Sequence, residues 1–233
     1  MNLLLLSNSS SDAGYLTHAL PWLREHLAGV ERAAFVPYAG VTLTWDAYAA
    51  RVREALAELP AEIVSVHETN NPTGLVTDAD AVLVGGGNTF HLLRETYRMG
   101  LVELIRQRVR GGVPYVGWSA GSNLAGPTIR TTNDMPIVEP PTFDAFGFVP
   151  YQINPHFTDA HPPGHRGETR RERLAEFIGA NPEALVAGLP EGTALRVTEA
   201  ATELLGADHA VVFDRTSPDG RDVAAADLDA LLR

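Results

Sequence analysis

The chain has no cysteine and no lysine among its 233 residues, so all 18 of its basic residues are arginine. The missing cysteine excludes disulfides, thiolate nucleophiles and zinc sites built on thiolates. The missing lysine excludes Ser-Lys dyads, Schiff-base chemistry and nucleotide binding by a P-loop. A serine nucleophile would therefore need a histidine as its base, and the chain has eight histidines.

Positive charge and long apolar runs are also scarce. The net charge of −11 argues against a nucleic-acid partner, and an anionic substrate would need a local cluster of arginines. No apolar run approaches the roughly 18 residues of a membrane span. The apolar start at residues 3–6 lacks a basic flank and is too short for a signal peptide, so we expect a buried first strand and a cytoplasmic protein.

Short apolar runs alternate with helical patterns in the first half of the chain. Strands are predicted at 3–7, 33–37, 62–66, 81–85 and 113–117, with helices near 16–28, 45–58, 90–98 and 101–110. This alternation predicts an α/β fold, with a mostly parallel central sheet and helices on both faces. No linker, repeat or low-complexity segment interrupts it, so we expect one domain over 1–233.

The second half has a different pattern. Residues 126–167 are irregular and rich in proline, and such a long irregular segment is usually functional. A helix is predicted near 168–178. Strands follow near 184–187, 194–197, 202–205 and 210–213, with a hairpin turn at 206–209.

The most informative motif is G-x-S-x-G at 117–121, where an apolar strand runs into a helix start. In this context the pattern predicts a sharp turn that exposes the hydroxyl of Ser119 as a nucleophile. The backbone N–H of Ala120, the next residue, would help to bind an oxyanion, and the glycine-rich turn at 85–87 could supply a second N–H. An ordinary glycine-serine turn is the alternative.

The base and its carboxylate are less sharply indicated. His156 follows an apolar strand pattern at 148–153, which would place its ring at a strand end, while His161 and His165 remain alternatives. Glu191, in a tight Pro-Glu-Gly loop, and Asp134 are both candidates for the carboxylate that orients the histidine.

Two further clusters bear on the ligand. Arg170, Arg171 and Arg173 open a predicted helix, where positive charge opposes the helix dipole, so an arginine there would suit a carboxylate ligand. The alternative, which covers some of the three, is a solvated helix face with Glu172 and Glu176 as partners. His156, Asp159, His161 and His165 could instead hold a metal, but their spacing matches no common zinc motif and would leave the G-x-S-x-G turn unexplained.

Several longer motifs follow one another over nearly the whole chain. They are LLLLSN at 3–8, VGGGNTF at 84–90, GWSAGSNLA at 117–125, TIRTTNDMPIV at 128–138, QINPHFT at 152–158, GETR at 167–170 and GLPEG at 188–192. Together they resemble the S51 family of serine peptidases, and its aspartyl dipeptidases in particular. The fold of that family is flavodoxin-like and similar to class I glutamine amidotransferases.

The resemblance implies a role for each matching residue. Ser119 would be the nucleophile, His156 the base and Glu191 its carboxylate, with Asp134 in the same site. Gly86 or Gly87 would join Ala120 in the oxyanion hole, and Arg170 would bind the aspartate side chain of an Asp-Xaa dipeptide. The resemblance implies no metal and no other cofactor.

The partner and the exact activity remain open at this stage. Relatives in the family suggest a homodimer, although no apolar stripe in the sequence argues for one. The alternatives are hydrolysis of β-aspartyl or other small acidic amides, and a non-catalytic small-molecule binding protein that has kept the G-x-S-x-G turn.

Overall fold

The computed structural model describes residues 1–160, 164 and 166–232. In this part of the chain the strands are β1 (Leu3–Leu6), β2 (Ser10–Ser11), β3 (Gly14–Tyr15), β4 (Arg32–Val36), β5 (Glu62–Ser65), β6 (Ala81–Val84), β7 (Tyr115–Trp118), β8 (Gln152–Phe157), β9 (Val186–Pro190), β10 (Ala194–Val197), β11 (Thr202–Leu205), β12 (His209–Asp214) and β13 (Ser217–Ala224). The helices are α1 (Leu20–His26), α2 (Trp45–Ala55), α3 (Pro72–Asp78), α4 (Thr89–Arg98), α5 (Leu101–Arg110), α6 (Ala120–Asn123), α7 (Arg170–Ala180) and α8 (Ala225–Leu232). No helix in the described ranges has both the length and the hydropathy to span a membrane.

The described strands form a seven-stranded sheet in the order β11-β10-β1-β7-β6-β4-β5. The five strands from β1 to β5 in this order are parallel, whereas β10 and β11 add an antiparallel edge. The carboxyl ends of β1, β7 and β6 are therefore neighbours at one edge of the sheet. Ligands of open parallel sheets bind at this edge.

Both faces of this sheet are covered, which explains the unbroken leucine run in β1. All four residues of Leu3–Leu6 are fully buried. Leu5 packs in the same cluster as Ile105 of α5, whereas Leu6 packs on the opposite face in the cluster that contains Val52 of α2. A strand buried on both faces is apolar throughout instead of alternating. The prediction of a mostly parallel sheet with helices on both faces is confirmed.

A second sheet of four strands has the order β13-β12-β9-β8. Its β8 and β9 are parallel, and the other pairs are antiparallel. Helix α7 packs on it through Leu174 and Ile178, which join Phe157 and Phe213 in a separate apolar cluster. One face of the smaller sheet therefore packs against α7, while Leu189 and Val212 on its other face join the main core of the larger sheet.

The predicted hairpin turn at 206–209 is wrong. The strands on either side of it, β11 and β12, lie in different sheets, and β12 pairs with β13 and β9. Gly206, with a φ of +86°, turns the chain out of one sheet and into the other. Local turn composition is the same in both cases, so only the long-range pairing distinguishes them.

Other elements differ from the prediction in position or were missed. Strand β8 begins at Gln152 and continues to Phe157, beyond the predicted strand at 148–153, although its register shifts between Asn154 and Phe157. Pro155 lies in that interval and has no N–H to donate, which is consistent with the shift. Helix α3 and the C-terminal β13 and α8 were not predicted.

Candidate active site

Ser119 lies where β7 turns into the short helix α6. Its backbone has a φ of 52° and a ψ of −112°, a conformation that costs a non-glycine residue roughly 1–3 kcal/mol. A Cβ on Gly117 would lie 2.6 Å from the carbonyl carbon of Gly121, and a Cβ on Gly121 would lie 2.9 Å from that of Val84. The two glycines are thus required for the turn to close against β6.

His156 and Glu191 reach Ser119 from the smaller sheet, since His156 is in β8 and Glu191 follows β9. The Nδ1 of His156 lies 2.6 Å from a carboxylate oxygen of Glu191, and its Nε2 lies 2.9 Å from the Ser119 hydroxyl. A carboxylate only accepts hydrogen bonds, so Nδ1–H donates to Glu191 and Nε2 accepts from Ser119. Such an arrangement can remove the hydroxyl proton and stabilise the resulting imidazolium.

Ser7 and Asn8, directly after β1, attach the smaller sheet to the larger one at this point. The fully buried Ser7 hydroxyl accepts from the backbone N–H of His156 at 2.9 Å and donates to the Leu189 carbonyl at 2.8 Å. The Asn8 side-chain oxygen accepts from the N–H of Gly192, next to Glu191, at 2.7 Å. Both residues lie in the LLLLSN motif but had no predicted role, although polar residues directly after a buried parallel strand are a usable signal.

The glycine turn after β6 lies against Ser119. A Cβ on Gly86 would lie 2.9 Å from the Cβ of Ser119, so only glycine lets the two segments approach so closely. In the described part of the chain, the backbone N–H groups of Gly86, Gly87 and Ala120 donate to no protein acceptor. These groups are free to bind an anion beside the Ser119 hydroxyl.

Tyr48 of α2 holds this turn in place. Its hydroxyl donates to the Gly86 carbonyl at 2.9 Å and accepts from the indole N–H of Trp118 at 2.9 Å. Because a peptide group is planar, fixing the Gly86 carbonyl also fixes the direction of the Gly87 N–H. Burial raises the pKa of Tyr48 well above its ordinary value, so the hydroxyl keeps its proton for this bond. Tyr48 was not predicted from the sequence, because an aromatic residue in a helix is usually a core residue.

A cavity of about 240 Å³ on one side of Ser119 contains Arg170, the first residue of α7. One terminal nitrogen of the guanidinium is buried and has no hydrogen-bond partner among the described residues. Burial, and secondly the charge of Arg173, lower the pKa of Arg170 from its ordinary value. The Thr169–Glu172 capping box fixes the start of the helix and hence the position of Arg170. A half-buried arginine with one buried, unpartnered nitrogen favours an anionic ligand.

The other two arginines of the cluster have protein partners. Arg171 makes a bidentate ion pair with Asp159, with N···O distances of 2.5 and 2.8 Å. It also donates a hydrogen bond to the backbone carbonyl of Gly220 in β13. Arg173 pairs with Glu168 at 3.8 Å. Only Arg170 of the three lines a cavity that contains Ser119.

Asp134 lies in the same cavity as Arg170 but does not orient His156 in this structure. One of its carboxylate oxygens accepts from the N–H and the hydroxyl of Thr89 at 2.7 and 2.6 Å, at the first residue of α4. A carboxylate at this end of a helix is stabilised by the helix dipole. Of the two candidate carboxylates, Glu191 therefore contacts the histidine and Asp134 binds a helix start.

The proposed metal ligands are not assembled among the described residues. His156 bonds Ser119 and Glu191, and Asp159 is paired with Arg171, while His161 and His165 lie outside the described residues. One group of potential ligands, Asp46, His67 and Glu68, does come together in the described part. It lines neither cavity beside Ser119, and Glu68 is already paired with Arg53.

Comparisons with known proteins identify relatives over the whole length of this chain. The model of peptidase family S51 matches residues 3–205. A protein named peptidase E from Shewanella sp. strain ANA-3 is 47% identical over 100% of this chain and 99% of its own length. Another peptidase E, from Citrobacter koseri, is 50% identical over 92% of this chain and 94% of its own length.

A solved structure of a peptidase from an acI-B1 actinobacterium superimposes with a TM-score of 0.66, over 96% of this chain and 94% of its own. At 15% sequence identity, this likeness shows the shared fold alone. The family match and the full-length relatives carry the assignment instead. The chain belongs to peptidase family S51.

Proposed function

We propose that this protein is a serine-type dipeptidase that hydrolyses dipeptides with an N-terminal aspartate. The observation that carries the proposal is the meeting of Ser119, His156 and Glu191 beside a cavity that contains the unpaired Arg170. The full-length likeness to proteins named peptidase E supports the same activity.

In the first half of the reaction, the Ser119 oxygen attacks the peptide carbonyl carbon while its proton passes to Nε2 of His156. Glu191 stabilises the imidazolium through Nδ1–H. The C–N bond then breaks as His156 returns the proton to the leaving nitrogen, and the aspartyl group remains as an ester on Ser119. Water, deprotonated by His156, hydrolyses this ester and restores the serine.

Backbone N–H groups would stabilise the negative charge that develops on the carbonyl oxygen. The N–H of Ala120 and those of Gly86 and Gly87 have no competing acceptor among the described residues. The Gly87 N–H is held in direction by Tyr48, as described above. Donors fixed before the reaction stabilise a developing oxyanion without reorganisation, which is a large part of acyl-transfer catalysis.

Arg170 selects the aspartate side chain in this proposal. Its buried nitrogen would pair with the β-carboxylate, and a neutral side chain would leave that nitrogen without a partner. Sites with a buried polar group reject ligands that cannot pair with it. Asp-Xaa is thus favoured over dipeptides that begin with an uncharged residue.

Replacing Ser119 with alanine tests the nucleophile. We expect Ser119→Ala to lower kcat for Asp-Leu by at least about 1,000-fold, because among the described residues no other hydroxyl hydrogen-bonds the ring of His156. Ser122→Ala is the matched control, since the Ser122 hydroxyl bonds only the carbonyls of Leu6 and Gly117. It should retain kcat close to the wild-type value. Comparable kcat values for the two variants would refute the proposal.

A substrate panel tests the specificity. The wild-type protein is assayed with Asp-Leu, β-Asp-Leu, Glu-Leu and Ala-Leu, and kcat/KM is expected to be highest for Asp-Leu and lowest for Ala-Leu. A preference for β-Asp-Leu would assign the protein to isoaspartyl hydrolysis instead. Equal rates with Ala-Leu would contradict the role of Arg170.

A further inference from the structure

A second cavity, of about 670 Å³, also has Ser119 in its lining. Ser119, His156, Gly86 and Gly87 contribute to its lining, so it shares the reacting centre with the smaller Arg170 cavity. Its volume falls in the usual range for a small-molecule site. If the aspartyl half of the substrate lies beside Arg170, the leaving amino acid lies in this larger cavity.

Arg51 of α2 lines the larger cavity, and a chain of contacts ties it to the reacting centre. Its guanidinium lies 4.1 Å from the centroid of the Tyr15 ring. The Tyr15 hydroxyl donates to the Tyr48 hydroxyl at 3.3 Å, and Tyr48 in turn bonds Gly86. Stacking on an aromatic ring limits the motion of a long side chain, so Arg51 presents its N–H donors from a defined position.

Arg51 has no ion-pair partner among the described residues, unlike its neighbour Arg53, which pairs with Glu68. Arg51 and Arg170 are the two arginines that line the cavities containing Ser119, and neither is paired in the described part of the chain. Each of the two cavities lined by Ser119 therefore has one unpaired arginine in its lining, the exposed Arg51 in one and the half-buried Arg170 in the other. An Asp-Xaa dipeptide likewise has a carboxylate on each side of its peptide bond.

We propose that Arg51 binds the free C-terminal carboxylate of the leaving amino acid. This inference rests on the proposed function and adds a reason why the peptide substrate would be limited to two residues. In a longer peptide, a neutral amide would stand where Arg51 meets a carboxylate, and a charge-assisted hydrogen bond would be lost. Arg51 is in this view a specificity determinant for chain length, as Arg170 is for the first residue.

The test compares Asp-Leu with its C-terminal amide, Asp-Leu-NH₂, which lacks only the charge. We expect Arg51→Met to lower kcat/KM for Asp-Leu about 10- to 100-fold, the range for loss of a charged hydrogen bond, and to leave the amide nearly unchanged. The control is Arg24→Met on α1, which removes the same charge from an exposed ion pair with Glu58. A similar loss on both substrates with Arg51→Met, or an equal loss with Arg24→Met, would overturn the proposal.

A binding measurement separates this inference from the peptidase activity. In the Ser119→Ala background, calorimetric titration with Asp-Leu should give a Kd about 10-fold or more higher when Arg51→Met is added, and the Kd of Asp-Leu-NH₂ should stay the same. An unchanged Kd for Asp-Leu would overturn the role of Arg51. This binding pattern without any turnover by the wild-type protein would refute the proposed activity and retain the carboxylate site.

Discussion

The seven-stranded and four-stranded sheets contribute different chemistry to the candidate active site. The larger sheet positions Ser119 and the backbone N–H groups near Gly86 and Ala120, all at the carboxyl ends of neighbouring parallel strands. The smaller sheet positions His156, Glu191 and, through α7, Arg170. The nucleophile and its base thus belong to different sheets, so the reaction depends on how the two sheets dock as well as on each sheet.

The two sheets share a large apolar cluster that contains Leu5 of β1 and Leu189 of β9, and polar contacts join them beside the candidate active site. Ser7 hydrogen-bonds the backbone of His156, and Asn8 hydrogen-bonds the backbone beside Glu191, so two consecutive residues directly after β1 position the histidine and its carboxylate. Single substitutions can therefore test the larger sheet, the smaller sheet and the contact between them one at a time.

Among the substitutions that compare the two sheets, the largest expected change in kcat is at Glu191 of the smaller sheet, with Asp134 near the larger sheet as its comparison. We expect Glu191→Gln to lower kcat for Asp-Leu about 100- to 1,000-fold, because the imidazolium loses its negative partner. Asp134→Asn should lower kcat less than about 10-fold, since an amide oxygen can still accept from Thr89. Steady-state kinetics at saturating substrate give both values. Equal losses would show that the two carboxylates share one role.

The second prediction compares a glycine in each sheet region. A Cβ on Gly121 would meet the backbone of Val84, which cannot move within β6, whereas a Cβ on Gly188 would meet the Phe157 ring at 2.9 Å. We expect Gly121→Ala to lower the free energy of unfolding by about 3 kcal/mol or more and Gly188→Ala by about 1–2 kcal/mol. Urea unfolding measures both. The reverse order would mean that the smaller sheet is the more tightly packed one.

The smallest effect concerns the contact between the sheets. Ser7→Ala and Ser122→Ala each remove a fully buried hydroxyl that bonds two backbone groups, and each should lower the free energy of unfolding by about 1–2 kcal/mol. Only Ser7 touches the backbone of His156, so Ser7→Ala should also lower kcat, by about 10-fold. If kcat falls equally in both variants, Ser7 has no specific positioning role.

Local patterns in the sequence predicted the larger sheet well. The predicted helix at 101–110 coincides with α5. The predicted ends of β1, β4, β5, β6 and β7 lie no more than two residues from the ends in the structure. Short apolar strands separated by long amphipathic helices give strong periodic signals. Helix α3 was missed because Pro72 and Gly74 are poor helix formers, although Asn71 caps its start by accepting from the Gly74 N–H.

The smaller sheet was predicted less well because its pairings are distant in sequence. The turn at 206–209 has the composition of a hairpin, yet the chain there crosses from one sheet to the other. In the site, the sequence motifs singled out Ser119, His156, Glu191 and Arg170, which the structure places around one centre. They gave no role to Ser7, Tyr48 or Arg51, because the side chains of these residues contact His156, Gly86 and Tyr15, which are distant in sequence.

The residue types and their short-range order were enough to exclude cysteine and lysine chemistry, to predict a mostly parallel sheet and to identify the candidate reactive groups. These properties depend on periodicity and on motifs of a few residues. Which carboxylate meets His156, which arginine remains unpaired and where the second cavity opens were decided by the tertiary structure. Hydrogen bonding and ion pairing at those sites join residues separated by up to 184 positions, so no local pattern encodes them.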